Sequence, residues 1–323
     1  MSFVLLTGAG FSYNWGGWLA NEVFEYLLGC TEINDNHRRL LWDCKRAGGF
    51  EDALAQLRQN YNHQKSAADE NALRGMEAAI IGMFNYMNQS LAKAQFEPQN
   101  DMDYLVRTFL AKFDAIFTLN QDLLLEHYYL DGNVALARSR KWNGWSIPGM
   151  KLLNPNPQVF DPVGQKAAML TPDLGNLREQ PGAQPYFKLH GSTNWIGGEG
   201  QTRLLVIGGN KSGEINRHPV LTWYHKRFKE HLSGARLMVI GYSFGDHHIN
   251  EMIMQAADSG FRLFIIDPQG VDVLNKQNPM HIQVATELIT KLQPRIMGAS
   301  RRSFAATFGH DRVEHAKLMR FFE

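Results

Sequence analysis

The chain has 323 residues, enough to bury a substantial core in one large domain or two lobes. Its 33 Lys and Arg against 32 Asp and Glu leave a net charge of +1, so no overall field draws in nucleic acid or a membrane surface, and 44% hydrophobic with 20% charged residues is ordinary globular composition. No apolar run approaches the roughly 20 residues of a membrane span, Phe3–Leu6 is too short for a secretory signal, and the two cysteines, Cys30 and Cys44, need no pairing, so the expectation is a reduced, cytoplasmic protein.

Phe3 to Leu6 has the pattern of a buried parallel strand. Gly8, Ala9 and Gly10 then form a turn of almost no side-chain bulk. Glycine admits positive φ there and lets a ligand approach the backbone. Outward N–H groups in such a turn favour a phosphate, especially if a helix comes next, and Ser12 adds a hydroxyl. The dinucleotide fingerprint Gly-x-Gly-x-x-Gly would put a third glycine where Tyr13 stands. The turn therefore suggests a nucleotide, but not an ordinary dehydrogenase. Helical patterns occupy 19–28, 37–60 and 70–96. In the last of these Leu73, Met76, Ile80, Met83, Phe84, Met87 and Leu91 make one apolar face. Pro98 and Asp101 punctuate its end, and 103–111 reads as one more helix.

A second apolar run, from Phe113, delivers Thr118-Leu119-Asn120-Gln121-Asp122. Residues 140–185 then carry Pro148, Pro155, Pro157, Pro162, Pro172, Pro181 and Pro185 with Trp142 and Trp145. Proline at that density blocks regular helix and central strand and suits an irregular segment framing a site. Tyr186-Phe187-Lys188-Leu189-His190-Gly191-Ser192 repeats the strand plan, as does Leu237–Ile240 leading to Gly241-Tyr242-Ser243-Phe244-Gly245-Asp246. Leu204–Ile207 and Leu263–Ile266 are further short strands, with helical patterns at 221–232 and 247–258 between them. Residues 281–323 read as helical pieces.

Each of these strands hands polar residues to its C-terminal end, the edge where open α/β sheets bind ligands. His190 leaves an apolar strand and meets Gly191 and Ser192, which suits a ligand-facing position better than a core histidine. Asn120 and Asp122 alternate with Thr118, with a plain turn as the rival reading. Ser243 and Asp267 are candidate ribose or phosphate ligands, although Asp267-Pro268 is also a common turn. Asp246, His247 and His248 have the composition of a metal site, but a helix cap by Asp246 with both histidines in the first turn is preferred.

Gly8-Ala9-Gly10-Phe11-Ser12, Thr118–Asp122, Leu189-His190-Gly191 and Gly241-Tyr242-Ser243, in this order, resemble the sirtuin superfamily. The longer stretches Leu189–Trp195 and Gly241–Asp246 are most similar to the sirtuin-like domains of bacterial anti-phage systems. The resemblance covers residues 3–16 and 113–268. It implies an α/β fold, a Rossmann-like parallel sheet with a large helical insertion. The first strand and nucleotide-binding turn would occupy 1–16, the helical insertion 17–111, the rest of the Rossmann-like domain 112–280 and a helical tail 281–323. It also implies that His190 is the general base acting on a ribose hydroxyl and that Asn120 positions the nicotinamide ribose or the attacking water. Asp122 would contact the nicotinamide side or hold the loop. Gly8, Ala9, Gly10, Ser12, Thr118, Gly241, Ser243 and Asp267 would surround NAD.

Two departures narrow the activity. Leu119 stands where deacylase sirtuins usually carry Gln, and their zinc module needs four thiolates, which Cys30 and Cys44 cannot supply. No zinc module and no metal are therefore expected, and peptide deacylation is disfavoured. The implied reaction is hydrolysis of NAD⁺ to nicotinamide and ADP-ribose through an oxocarbenium-like ribose. Nicotinamide departs as a neutral molecule, so placement and polar groups near the developing cation suffice. The family implies a toxic effector of anti-phage defence, restrained by homo-oligomer assembly or by a partner such as a HerA-type DNA-translocase ATPase. Two alternatives remain. One is a non-catalytic NAD- or ADP-ribose-binding module, which would not need both Asn120 and His190. The other is a nuclease subunit of a DNA-processing complex, for which clustered carboxylates are missing.

Overall fold

Residues 1–46, 48–130, 141–153, 168–197, 202–209, 211–275 and 282–323 are described by a computed structural model. Eleven strands lie among them: β1 (Phe3–Thr7), β2 (Ala115–Thr118), β3 (Gly144–Ser146), β4 (Met150–Leu152), β5 (Leu170–Pro172), β6 (Ala183–Lys188), β7 (Gly191–Gly197), β8 (Thr202–Leu205), β9 (Arg236–Ile240), β10 (Arg262–Ile266) and β11 (Ile296–Ser300). Seven of them make one sheet in the order β11-β10-β9-β1-β2-β6-β3, with every neighbouring pair parallel. Val4, Leu5, Leu6, Ile116, Phe117, Val239 and Ile265 are wholly buried. A parallel sheet covered on both faces has no water-facing side, so its strands read as unbroken apolar runs rather than alternations.

The chain leaves β1 for β2 and β6 on one side, then crosses to β9, β10 and β11 on the other. That is the 3-2-1-4-5-6 arrangement with β3 added at one edge, and it opens a crevice outside the strand ends between β1 and β9. Register sets the ends level. Thr7 pairs with Thr118 and with Ile240, Thr118 with Lys188, and Ile240 with Ile266. The loops beyond those residues therefore gather on one edge.

In a second sheet, of order β4-β5-β7-β8, β7 follows β6 with only two residues between them. Gly191 makes the corner at φ 76°, and a Cβ there would lie 2.1 Å from the Leu204 carbonyl oxygen. Only glycine fits.

Among the described residues, six α-helices run between β1 and β2, the longest being Ala67–Leu91. Ser66 caps it, its Oγ accepting the Asp69 N–H at 3.1 Å. Met76, Ala79, Ile80, Met83, Phe84, Met87 and Leu91 are buried on the helix face that the spacing predicts, and Ala53, Leu54 and Leu57 of Phe50–Gln64 are buried in the same core. The helical pattern expected over 37–60 is carried by two helices, Asp35–Cys44 and Phe50–Gln64, with Gly49 at φ 65° before the second. No described helix is long and apolar enough to cross a membrane.

Three expectations change at the level of elements. Ile296–Ser300, expected to be helical, is β11 at the edge of the main sheet. Leu204 belongs to the second sheet, where β8 runs antiparallel to β7. Pro185 sits inside β6, facing the three-residue edge strand β3, while the ladder to β2 begins only at Tyr186. Proline is tolerated there because an edge ladder asks little of its missing N–H. Pro155, Pro157 and Pro162 lie outside the described residues.

Candidate functional site

The glycine turn after β1 does something other than leave its amides free. The Gly8 N–H donates to the Ile240 carbonyl at 3.0 Å and the Gly10 N–H to the Gly241 carbonyl at 2.9 Å. A Cβ on Gly8 would meet the Gly241 oxygen at 2.6 Å, and one on Gly10 the Gly241 Cα at 2.7 Å. Gly241 itself has φ 62°, and a Cβ on it would clash with the Gly10 carbonyl carbon at 2.3 Å. These three glycines let the loops after β1 and β9 touch backbone to backbone. The expectation of a phosphate cradle is corrected for the Gly8 and Gly10 amides, which are already spent, whereas Ala9 is exposed beside them. The next helix, Ala9–Tyr13, has only five residues.

Beyond β2 the hydroxyls form a chain. Thr7 Oγ1 donates to Thr118 Oγ1 at 2.7 Å, and Thr118 Oγ1 accepts the Asn120 N–H at 3.0 Å. Asn120 Nδ2 donates to Ser12 Oγ at 2.9 Å. Ser12 is thus an acceptor that fixes the orientation of the Asn120 amide. Asp122 is buried; its Oδ1 takes the Leu124 N–H at 3.0 Å, which holds the loop at the start of the helix Leu124–Tyr128. Gln121 Nε2 donates to the carbonyls of Val206, at 2.7 Å, and His190, at 3.3 Å. Under this loop Lys188, 0% exposed, donates to the Asp122 carbonyl and pairs with Glu126 at 2.7 Å. Burial raises the Glu126 carboxyl above its ordinary range against the pull of Lys188.

His190 stands beside Asn120 in the lattice of strand ends. Each lies two residues beyond the Thr118–Lys188 pair of β2 and β6. Its Nε2 is 3.0 Å from the Nε2 of His248, and the two rings are 5.2 Å apart. His225, on the helix Pro219–Leu232, lies 5.4 Å from the His248 ring and bonds through Nε2 to the Leu189 carbonyl at 2.9 Å. Burial pushes the His190 imidazole well below its usual pKa and holds His225 down as well. Burial brings His248 down to about 4.

Asp246 precedes the helix His247–Ala256, as expected, but its carboxylate makes no capping bond. It accepts from Lys211 at 2.7 Å instead, and Lys211 also meets Glu51 at 2.8 Å. Those two carboxylates raise the Lys211 pKa against the effect of burial. The preferred capping role of Asp246 is therefore corrected: a buried lysine competes for the carboxylate, while Tyr242 Oη accepts the Asp246 N–H at 3.1 Å. His190, Asp246 and His248 bring ligand-type atoms within 4.8 Å of one another. The Asp246 carboxylate is held in an ion pair with Lys211, whose ammonium lies beside the trio and opposes a second cation there, so the trio is not assigned to a metal.

Ser12, Thr118, Asn120, Asp122 and His190 thus share one edge, over β1, β2 and β6. Ser243 is exposed on the loop after β9, braced by the Tyr242 Oη–Asn250 Oδ1 bond at 2.9 Å. Asp267 lies one strand farther, with Oδ1 accepting the Gln269 N–H at 2.8 Å in a local turn. A surface pocket nearby is lined by Gly270, Val271, Arg301, Arg302, Glu314 and Lys317, away from His190. Lys188, Glu126, Gln121, Lys211, Glu51 and His225 escaped the sequence reading. For Lys188 a signal existed: a lysine inside the apolar run Tyr186–Leu189 demands a buried partner. Nothing local marks Glu51 or His225.

The model of the family described as "SIR2-like domain" matches residues 114–284. No curated protein matches the chain. Among solved structures, a Sir2 homologue in complex with NAD is similar at 11% identity over 99% of this chain and 90% of that one, with a TM-score of 0.44. Sir2 bound to an acetylated peptide is similar at 13% identity over 98% and 94%, with a TM-score of 0.40.

Proposed function

We propose that this chain, which belongs to the SIR2-like domain family, hydrolyses NAD⁺ to nicotinamide and ADP-ribose. The observation that carries the proposal is the level emergence of Asn120 and His190 from adjacent strands, the amide oriented by Ser12 and the imidazole buried beside it. Asn120 Oδ1 holds a hydroxyl of the nicotinamide ribose or the attacking water. His190, neutral in its buried site, takes the proton from that oxygen. Asp122 and Lys188 keep the loop in place. Gly241, Ser243 and Asp267 extend the same edge towards the far end of a dinucleotide. Cleavage builds positive charge on the ribose, and the enclosed edge stabilises it with oriented dipoles rather than with a leaving-group acid.

A chain that destroys NAD⁺ needs restraint, which suits a toxic effector of anti-phage defence held in check by self-assembly or by a HerA-type ATPase partner. The test is nicotinamide release from NAD⁺ by the purified protein. Asn120→Ala and His190→Ala, each folded by circular dichroism, are expected to lower the rate by about a hundredfold or more. Wild-type turnover in either variant refutes the assignment.

A further inference from the structure

We propose that His248 is a positioning residue and proton relay for His190: the two Nε2 atoms, 3.0 Å apart, share one proton, so His190 hands on the proton it receives. The proposal rests on His190 being the base. A hydrogen bond between two neutral imidazoles fixes their tautomers in a complementary way. When the His190 Nε2–H donates to His248 Nε2, the His190 Nδ1, which has no partner among the described residues, becomes the acceptor facing substrate. Taking a proton then breaks the substrate O–H bond and forms Nδ1–H on His190. The His190 Nε2–H bond breaks as an Nε2–H bond forms on His248. His190 is neutral before and after, and the positive charge ends on His248, whose Nδ1–H passes a proton to water.

The two rings differ in burial. His190 is 3% exposed, and its ring resists protonation because it lies away from water. His248 is half-buried on the first turn of its helix. The groups around the pair are Asp246 and His247 on its own segment, Lys211 from the helix Lys211–Asn216, and His225 from Pro219–Leu232. Among these the Asp246 carboxylate favours charge on the pair, whereas Lys211 and His225 oppose it. Lys211 itself is tethered by Glu51 at 2.8 Å. His225 is committed to the Leu189 carbonyl, so it does not compete for the shared proton.

The experiment uses the full chain with NAD⁺, comparing His190→Ala, His248→Gln and His248→Ala. Glutamine keeps a hydrogen-bonding group but cannot accept the proton as a base. For His248→Gln we expect kcat to fall on the order of tenfold, KM to stay within about twofold, and the acidic limb of the kcat–pH profile to move. Added imidazole should partly restore His248→Ala. Wild-type kcat and pH profile in His248→Gln, with His190→Ala inactive, would overturn the relay and spare the base. Full activity in His190→Ala would overturn both. An activity lost to chelation and restored by zinc would also overturn the relay, because the cluster would then hold metal. Nitrogen-15 spectra of histidine-labelled wild-type protein decide independently of turnover or variant folding. Protonated Nε2 and bare Nδ1 on His190 support the relay, and the reverse tautomer refutes it.

Discussion

The side-chain amide of Asn120 is held by the hydroxyl of Ser12. Ser12 reads as a hydroxyl donor for a phosphate, yet in the fold its Oγ accepts the Asn120 amide. Losing that bond frees the amide to rotate without emptying the site. A hydrogen bond of this kind contributes about 1 kcal/mol, so Ser12→Ala should cut nicotinamide release by roughly fivefold, less than Asn120→Ala does, and lower the thermal midpoint by no more than about 2–4 °C. Equal rates for Ser12→Ala and wild type would show that the pair has no part in turnover. The glycines make a parallel case. Their positions are plain from Gly8-Ala9-Gly10 alone, but the reason for them, contact with Gly241, needs two loops more than 200 residues apart in sequence.

At the scale of elements, the strands that carry the site were legible and the bonds between them were not. Val4–Leu6, Ala115–Phe117, Leu237–Ile240 and Leu263–Ile266 are unbroken apolar runs because both sheet faces are covered. Strand β7 escaped because Gly191-Ser192-Thr193-Asn194 is polar yet buried, its groups satisfied by distant partners such as Asn88, whose Nδ2 donates to Thr193 Oγ1 at 3.0 Å. Strand β11 escaped because Ile296-Met297-Gly298-Ala299-Ser300 has little β-branched content. The Lys188–Glu126 pair joins β6 to the helix Leu124–Tyr128, and both partners are almost fully buried. Removing one leaves a charge in a dry place, which typically costs about 3–5 kcal/mol. Glu126→Leu or Lys188→Met should therefore lower the urea midpoint sharply. The double variant should be less destabilised than the sum of the two. Strict additivity in that cycle would mean the ions do not interact.

For the whole molecule, the helices between β1 and β2 are fastened to the sheet edge by polar ties. Arg58 Nη1 donates to the Ile207 carbonyl at 2.8 Å, Glu51 meets Lys211, and Asn88 Oδ1 accepts the Leu123 N–H at 3.0 Å. Those ties and the histidine cluster sit at one junction, so acid should act on the fold and the site together. His190, His225 and His248 all have imidazoles depressed by burial, His248 to about 4. In the unfolded chain each protonates near its ordinary value of about 6.5. Between those limits the unfolded state binds more protons than the native one, and stability falls as pH falls. Above pH 7 the three contribute almost no pH dependence, since they are largely neutral in both states. The urea midpoint should therefore hold steady from about pH 8 to 7 and drop progressively from about 6.5 towards 4. His248→Gln, which removes one of the three titrations, should drop less steeply over the same interval. A wild-type midpoint that stays flat on acidification would mean that the cluster takes up protons alike in the native and unfolded states, and one that rises would mean that the native state takes them up more readily; either outcome overturns the burial-depressed imidazoles.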